Sequence, residues 1–242
     1  MTSIVLVPGA WLGGWVWERV APELKSSGHE VYAVTLPGLG DRADELTPSV
    51  GLMTHVWDVL DLCRRLDLHD AMIVGHSYAG AVVGAVARRI PESFSAQVYL
   101  DTLPLAEGTT LLEGYSQAGR AAFEGAVIEW RGTRVWPMPE PLGSQAPVDG
   151  LTPEDLDLLR RRSTPHPALT FEERLSGPLA SGLPPKSFGI SCVENEAAAE
   201  EEKKQFLSEH PDWTYRSLPI CHWPMLSTPG ELARLLDGIA KG

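Results

Sequence analysis

The chain is poor in cysteine and has no long apolar segment. Its three cysteines, Cys63, Cys192 and Cys221, are odd in number and widely spaced, so they predict neither a disulfide framework nor a zinc site. Burial in the core is their expected role. No apolar run approaches the ~20 residues that span a membrane. Met1 leads almost directly into a strand-like segment, without the basic and apolar regions of a signal peptide. We therefore expect a soluble, cytoplasmic protein that does not bind membranes.

Basic side chains are in the minority. The chain has 20 Lys and Arg against 32 Asp and Glu, a net charge of −12. A nucleic-acid binder needs a basic face, and so does a protein that grips anionic lipid. We expect neither partner and interpret the acidic balance as a source of solubility. The sequence leaves the oligomeric state open, a homodimer included.

Hydrophobic residues make up 43% of the chain, which is enough for a sizeable core in a single α/β domain of 242 residues. Strand-like and helical segments alternate along much of it. Predicted strands cover 3–7, 30–36, 71–74, 95–101, 186–192 and 213–218. Predicted helices cover 15–27, 52–67, 78–90, 197–209 and 229–240. This alternation predicts a mostly parallel central sheet with helices on both faces.

The alternation stops between residues 104 and 185. This stretch is rich in Pro and Gly, with helical pieces near 111–124 and 153–162. So long an interruption in an α/β chain favours an inserted cap over a loose loop. We predict a core of residues 1–103 and 186–242, and a mainly helical cap insertion of residues 104–185, called the cap segment below.

Residues 74–80 read Val-Gly-His-Ser-Tyr-Ala-Gly, between a predicted strand and a predicted helix. A nucleophilic serine on a sharp strand-to-helix turn needs small residues two positions before and after it. Gly75 and Ala79 meet that demand, with Ala79 in place of the usual Gly. Ser77 is therefore the candidate nucleophile, and a Gly-rich turn with an incidental serine is the alternative.

Residues 7–15, Val-Pro-Gly-Ala-Trp-Leu-Gly-Gly-Trp, form a Gly-rich loop after the first strand. The oxyanion of a tetrahedral intermediate needs rigid backbone N–H donors. This loop offers the amide of Ala10, and the residue after the nucleophile, Tyr78, offers the second. A plain strand-to-helix loop is the alternative.

His222 lies in Cys-His-Trp-Pro at 221–224, after the last strand and before the last helix. The chain has six other histidines, and none follows a late strand. Position therefore makes His222 the candidate general base.

Together these segments resemble the α/β-hydrolase superfamily, most closely the branch of plant methyl esterases, hydroxynitrile lyases and small bacterial esterases. The loop Pro-Gly-Ala-Trp-x-Gly-Gly-Trp, the Gly-His-Ser turn and the late His are specific in combination, and residues 36–40 (Leu-Pro-Gly-Leu-Gly) fit the same pattern. The resemblance covers nearly the whole chain except the cap segment. It implies an α/β-hydrolase fold with a triad in the order Ser, acid, His.

The chain departs from that family at several positions. Pro8 stands where the family's loop begins with His, and Leu12 where a second His is common. The lyases carry Thr at the position of Gly9 and Lys at that of Trp223, and these two residues handle the cyanohydrin. Cyanogenic lyase activity is therefore not expected.

The acid of the triad is the most informative departure. In the family it follows the strand that here ends near 192, and the matching position is Asn195. Asp101, at the end of the fourth strand, is an alternative, because some lipases that resemble this fold place their acid there. Glu194 and Glu196 are further candidates. The sequence leaves open which of these residues, if any, orients His222.

The first functional hypothesis is a serine hydrolase that cleaves a carboxylic ester or lactone of a small apolar or aromatic substrate through an acyl-enzyme on Ser77. It requires no metal and no cofactor. Trp11 and Trp223 are expected to border the pocket, with Trp130 and Trp136 as further candidates from the cap segment.

Two other hypotheses keep the fold. A neutral Asn195 beside His222 suits a lyase, decarboxylase or cyclase that acts on a polyketide-like or keto-acid substrate. A ligand-binding pseudoenzyme is the third, because fold alone does not establish activity.

Overall fold

The central sheet has six parallel strands, in the spatial order Glu30–Ala33 (β2), Ser3–Val7 (β1), Ala71–His76 (β3), Phe94–Leu100 (β4), Lys186–Val193 (β8) and Thr214–Pro219 (β9). The structure, a computed structural model, describes residues 1–140, 142, 148–182, 185–193, 196–219 and 221–242, and the side chains of 196–199 and 219 are left out of the description. All six strands were predicted from the sequence, and β3 runs two residues further than expected, up to the residue before Ser77.

Helices cover both faces of this sheet, as predicted. They are α1 (Ala21–Ser26), α2 (Leu52–Arg65), α3 (Ala79–Ala87), α7 (Glu196–Glu209), α8 (Pro224–Ser227) and α9 (Pro229–Ala240). Along β1, Val5 and Val7 point into the core under α2 and α3, whereas Ile4 and Leu6 point into the core that α1 and α9 cover. A parallel sheet buried on both faces needs such uniformly apolar strands.

The single helix predicted over 15–27 is two pieces: a 3-10 helix at Gly14–Trp17 and the shorter α1. Pro22 explains the break, since its ring clashes with the preceding turn inside a helix but is tolerated in the first turn. Pro22 lies in that first turn of α1.

The cap segment leaves the sheet after β4 and returns at β8, the strand next to it. It contains α4 (Gln117–Ala126), α5 (Pro153–Arg162) and α6 (Leu169–Glu172). It also forms an antiparallel sheet of β5 (Ile128–Trp130), β6 (Thr133–Trp136) and β7 (His166–Pro167), which the sequence analysis did not predict. The strands are two to four residues long, too short to show a periodic pattern.

Within the described residues, no helix combines the length and the apolar character that a membrane crossing requires. The three cysteines are free thiols, with Cys63 and Cys221 buried and Cys192 half-buried.

Candidate active site

Ser77 lies on the turn between β3 and α3 with φ of +51°, in the left-handed region. A non-glycine residue held there costs on the order of 1–3 kcal/mol, and such residues are frequent at functional sites. The turn is tight because a Cβ at Gly75 would come within 2.6 Å of the Ala79 carbonyl oxygen, and one at Gly80 equally close to the Leu103 oxygen. The Ser77 amide donates to the Leu100 carbonyl at the end of β4, 3.0 Å away. Gly75 therefore has the steric role that the sequence suggested, and Gly80 has a similar one.

His222 follows β9 and reaches Ser77. Its Nε2 lies 2.9 Å from the Ser77 Oγ. The preceding residue, Cys221, has φ of +66°, so the chain turns sharply before the histidine. His76 supports the backbone here: its Nε2 donates to the His222 carbonyl oxygen at 2.6 Å, and the two rings are 4.7 Å apart.

Asp101 lies directly after β4 with φ of +52°. Its Oδ2 accepts from His222 Nδ1 at 2.6 Å, and its Oδ1 accepts from the Cys192 amide at 3.0 Å. Burial raises the pKa of Asp101, but the hydrogen bond and charge of His222 and the Cys192 amide outweigh burial, so the pKa is below its usual value. The carboxylate is therefore ionised at neutral pH and accepts a hydrogen bond from Nδ1–H, which leaves Nε2 without a proton and able to accept from Ser77.

Among the acid candidates whose side chains the structure describes, Asp101 lies at His222. Glu194 and Asn195 lie outside the described residues, and Glu196 begins α7 with its side chain outside the description. Ser77, His222 and Asp101 meet because β3, β4 and β9 are parallel and end at the same edge of the sheet.

The backbone amides of Ala10 and Tyr78 are the two predicted oxyanion donors. Among the hydrogen bonds of the described residues, neither amide has an acceptor. The next amide along the loop, that of Trp11, donates to His166 Nδ1 at 3.1 Å. Both residues, Ala10 and Tyr78, line the same pocket as Ser77.

That pocket has a volume of about 400 Å³. Ser77, Asp101 and His222 lie in its wall, together with the predicted residues Trp11, Trp136 and Trp223. Trp130 does not contribute to it. Further lining comes from the cap segment, chiefly Leu111, Tyr115, Met138 and Phe171. Among the described residues, no cluster of His, Cys, Asp or Glu is arranged to hold a metal ion.

Sequence reasoning missed three buried histidines around the site: His55, His76 and His166. Burial lowers the pKa of His55 to about 4 and that of His76 to about 3, and it takes the pKa of His166 well below 6.5. The charges of neighbouring histidines lower the pKa of His76 and His166 further. All three are therefore neutral hydrogen-bonding groups. His76 adjoins the nucleophile in sequence and could have been noticed, but His55 and His166 meet the site through tertiary contacts alone.

The chain is similar to known proteins along nearly its whole length. Residues 4–235 match the model of the alpha/beta hydrolase family. A carbendazim hydrolyzing esterase from Nocardioides sp. (strain SG-4G) is 29% identical over 259 residues, covering 99% of this chain and 100% of that protein. Methylesterase 10 from Arabidopsis thaliana is 27% identical over 98% of this chain and 90% of its own length.

The solved structure of an extracellular alpha/beta-hydrolase from a Paenibacillus species has the same fold, with a TM-score of 0.77, 19% identity and coverage of 98% of both chains. Because the family model spans nearly the whole sequence, this chain belongs to the alpha/beta hydrolase family.

Proposed function

We propose that the protein is a serine hydrolase that cleaves a carboxylic ester or lactone of a small apolar or aromatic substrate. The observation that carries the proposal is the chain of hydrogen bonds from Asp101 through His222 to Ser77. All three residues line a pocket that is rich in aromatic side chains. The protein is an esterase-like hydrolase, in agreement with its similarity to named esterases.

The reaction follows from the protonation states. His222 Nε2 takes the proton of the Ser77 hydroxyl as the oxygen attacks the ester carbonyl. The amides of Ala10 and Tyr78 donate to the oxyanion of the tetrahedral intermediate. His222 then gives the proton to the departing alcohol oxygen, which leaves an acyl group on Ser77. Water then attacks this ester, and His222 takes its proton and returns it to the Ser77 oxygen as the carboxylic acid leaves. Asp101 stabilises the imidazolium in both steps.

The pocket favours neutral substrates. Among the described lining residues, Asp101 is the only one with a carboxylate, and none is Lys or Arg. An anionic substrate would bind beside the Asp101 carboxylate without a cation to pair with. Burying such an unpaired charge among apolar side chains raises the free energy of binding. Trp11, Trp136 and Trp223 suit a flat ring system.

We further propose that the cap segment closes this pocket and sets its selectivity. It supplies Tyr115, Trp136, Met138 and Phe171 to the lining, whereas the core supplies the reacting groups. The relative from Nocardioides is named for carbendazim hydrolysis, so carbendazim belongs in the first substrate panel beside simple p-nitrophenyl esters.

The lyase, decarboxylase or cyclase hypothesis rested on a neutral residue beside His222. The carboxylate of Asp101, 2.6 Å from His222 Nδ1, removes that reason and supports hydrolysis. A pseudoenzyme would not need a serine held in the left-handed region within reach of an oriented histidine.

Hydrolysis of p-nitrophenyl acetate and butyrate by the wild type and by Ser77→Ala tests the proposal, with the exposed Ser26→Ala as the matched control. We expect turnover that disappears in Ser77→Ala and persists in Ser26→Ala. A fluorophosphonate probe should add one label to the wild type, on the peptide that contains Ser77. Ester turnover that survives in Ser77→Ala, or a label on another residue, would contradict the proposed nucleophile.

A further inference from the structure

The loop that carries Ala10 is held by the cap segment through one residue, Trp11. The Trp11 amide donates to His166 Nδ1 at 3.1 Å, and its indole Nε1 donates to the Trp136 carbonyl at 2.8 Å. The Trp11 carbonyl accepts from the Thr164 amide at 2.9 Å. All three partners belong to the cap segment, so every polar group of Trp11 is bonded across to it.

Trp11 needs this support because its φ is +67°, in the left-handed region that bulky side chains avoid. Its amide belongs to the peptide plane that joins it to Ala10. A fixed orientation of this plane restricts the backbone of Ala10 and thereby the direction of the Ala10 amide. The bond to His166 consequently lies one peptide away from a proposed oxyanion donor.

His166 also contacts Tyr78, whose amide is the second proposed oxyanion donor. It lies in β7, opposite Trp136 in β6, and is fully buried. Its ring is 4.6 Å from that of Tyr78, in an edge-to-face arrangement. The Tyr78 hydroxyl donates in turn to His55 Nδ1 at 2.8 Å, and His55 Nε2 donates to the Pro37 carbonyl at 2.9 Å. The Tyr78 side chain is therefore held between two buried histidines.

We propose that His166 is a positioning residue through which the cap segment orients the amides of Ala10 and Tyr78 toward the oxyanion. The proposal rests on the proposed function. It adds that the cap segment orients the oxyanion donors as well as lining the pocket. His166 touches no reacting atom, and its contribution passes through the Trp11 amide and the Tyr78 ring. The neutral imidazole accepts at Nδ1, so its proton is on Nε2.

Two substitutions separate positioning from simple packing. In His166→Asn the side-chain oxygen occupies the place of Nδ1, because both atoms are bonded to Cγ, and the acceptor for Trp11 is kept. His166→Leu keeps a side chain of similar volume and removes the acceptor. If His166→Leu fails to fold, His166→Gln replaces it, since its amide oxygen extends toward the place of Nε2 and not of Nδ1. His29→Leu is the matched control, a buried histidine bonded to Asp237 at 2.8 Å and remote from the pocket.

The readouts are kcat and KM for p-nitrophenyl butyrate, and the inhibition constant of a trifluoromethyl ketone, whose hemiketal oxygen occupies the oxyanion position. Because loss of one oxyanion donor costs about 100- to 1000-fold and displacement costs less, we expect His166→Leu to lower kcat roughly 10- to 100-fold. The inhibition constant of the ketone should rise by a similar factor. KM should stay within about threefold of the wild-type value, because the neutral ester carbonyl of the bound substrate forms weaker hydrogen bonds to these amides than the oxyanion does. His166→Asn and His29→Leu should retain most of the wild-type kcat.

A kcat of folded His166→Leu equal to that of the wild type would overturn the positioning role, and so would an effect confined to KM. Equal losses in His166→Asn and His166→Leu would also overturn it, because packing alone would then explain the effect. These outcomes differ from a failure of the proposed function, in which the wild type itself shows no turnover that depends on Ser77.

Discussion

Replacing Asp101 by Asn probes the site most directly, and the structure indicates how the amide would orient. Oδ1 accepts from the Cys192 amide, and Oδ2 accepts from His222 Nδ1. In Asp101→Asn the amide oxygen must face the Cys192 N–H, since an N–H cannot accept from another N–H. The NH₂ group then faces His222 Nδ1.

This orientation gives His222 the wrong tautomer. Nδ1 must accept from the NH₂ group, so the proton moves to Nε2, and Nε2 can no longer take the proton of Ser77. The same change in a serine protease lowers kcat about 10⁴-fold. We expect a loss of about 10³- to 10⁴-fold here, equivalent to about 4–5.5 kcal/mol of transition-state stabilisation. The free energy of unfolding should fall by no more than about 2 kcal/mol, because Asn keeps the shape and both hydrogen-bonding positions.

The assay is kcat/KM for p-nitrophenyl acetate, with thermal unfolding measured on the same samples. Asp67→Asn is the matched control: Asp67 has φ of +49° and is highly exposed, so the same chemical change is made in the same backbone conformation, far from the pocket. A folded Asp101→Asn enzyme within tenfold of the wild type would refute the assignment of Asp101. A further Asn195→Asp substitution that restores activity to Asp101→Asn would point to position 195 as an alternative place for the acid.

Three further results are expected. Gly75→Ala should destabilise the fold by more than about 2 kcal/mol and abolish turnover, because the new Cβ would come within 2.6 Å of backbone; Gly125→Ala, in α4 with open space around it, should be neutral or slightly stabilising. The free energy of unfolding should fall as pH drops below 6.5, because His55, His76 and His166 have lowered pKa values in the folded state and the unfolded chain therefore binds more protons. The shifts of His55 and His76 should each lower the free energy of unfolding by about 2 kcal/mol at pH 5, and that of His166 lowers it further, so a urea midpoint that is unchanged between pH 7 and 5 would count against this reading. An ester with a carboxylate on its acyl chain should have a KM at least about tenfold above that of its neutral analogue, and equal values would argue against a pocket without counter-charge.

Local sequence determined most of the core fold and two members of the proposed triad. Apolar strands followed by helical spacing predicted the six strands of the sheet, because a parallel sheet is buried on both faces. Ser77 could be found because a tight turn tolerates only small residues around it, and those residues are neighbours in sequence. His222 could be found because it follows the last strand, where the ends of parallel strands gather.

Only the tertiary structure brought Asp101 to His222 and showed what holds the loop of Ala10 and Trp11. Asp101 is 121 residues from His222, and His166 is 155 residues from Trp11. No local pattern encodes such pairs, since they depend on which strands are neighbours in the sheet and on how the cap segment folds back. The short strand β7 gave no periodic signal, yet its pairing with β6 places His166 at Trp11. Periodicity thus predicts elements, whereas the order of strands and the return of the chain bring distant side chains within hydrogen-bonding distance.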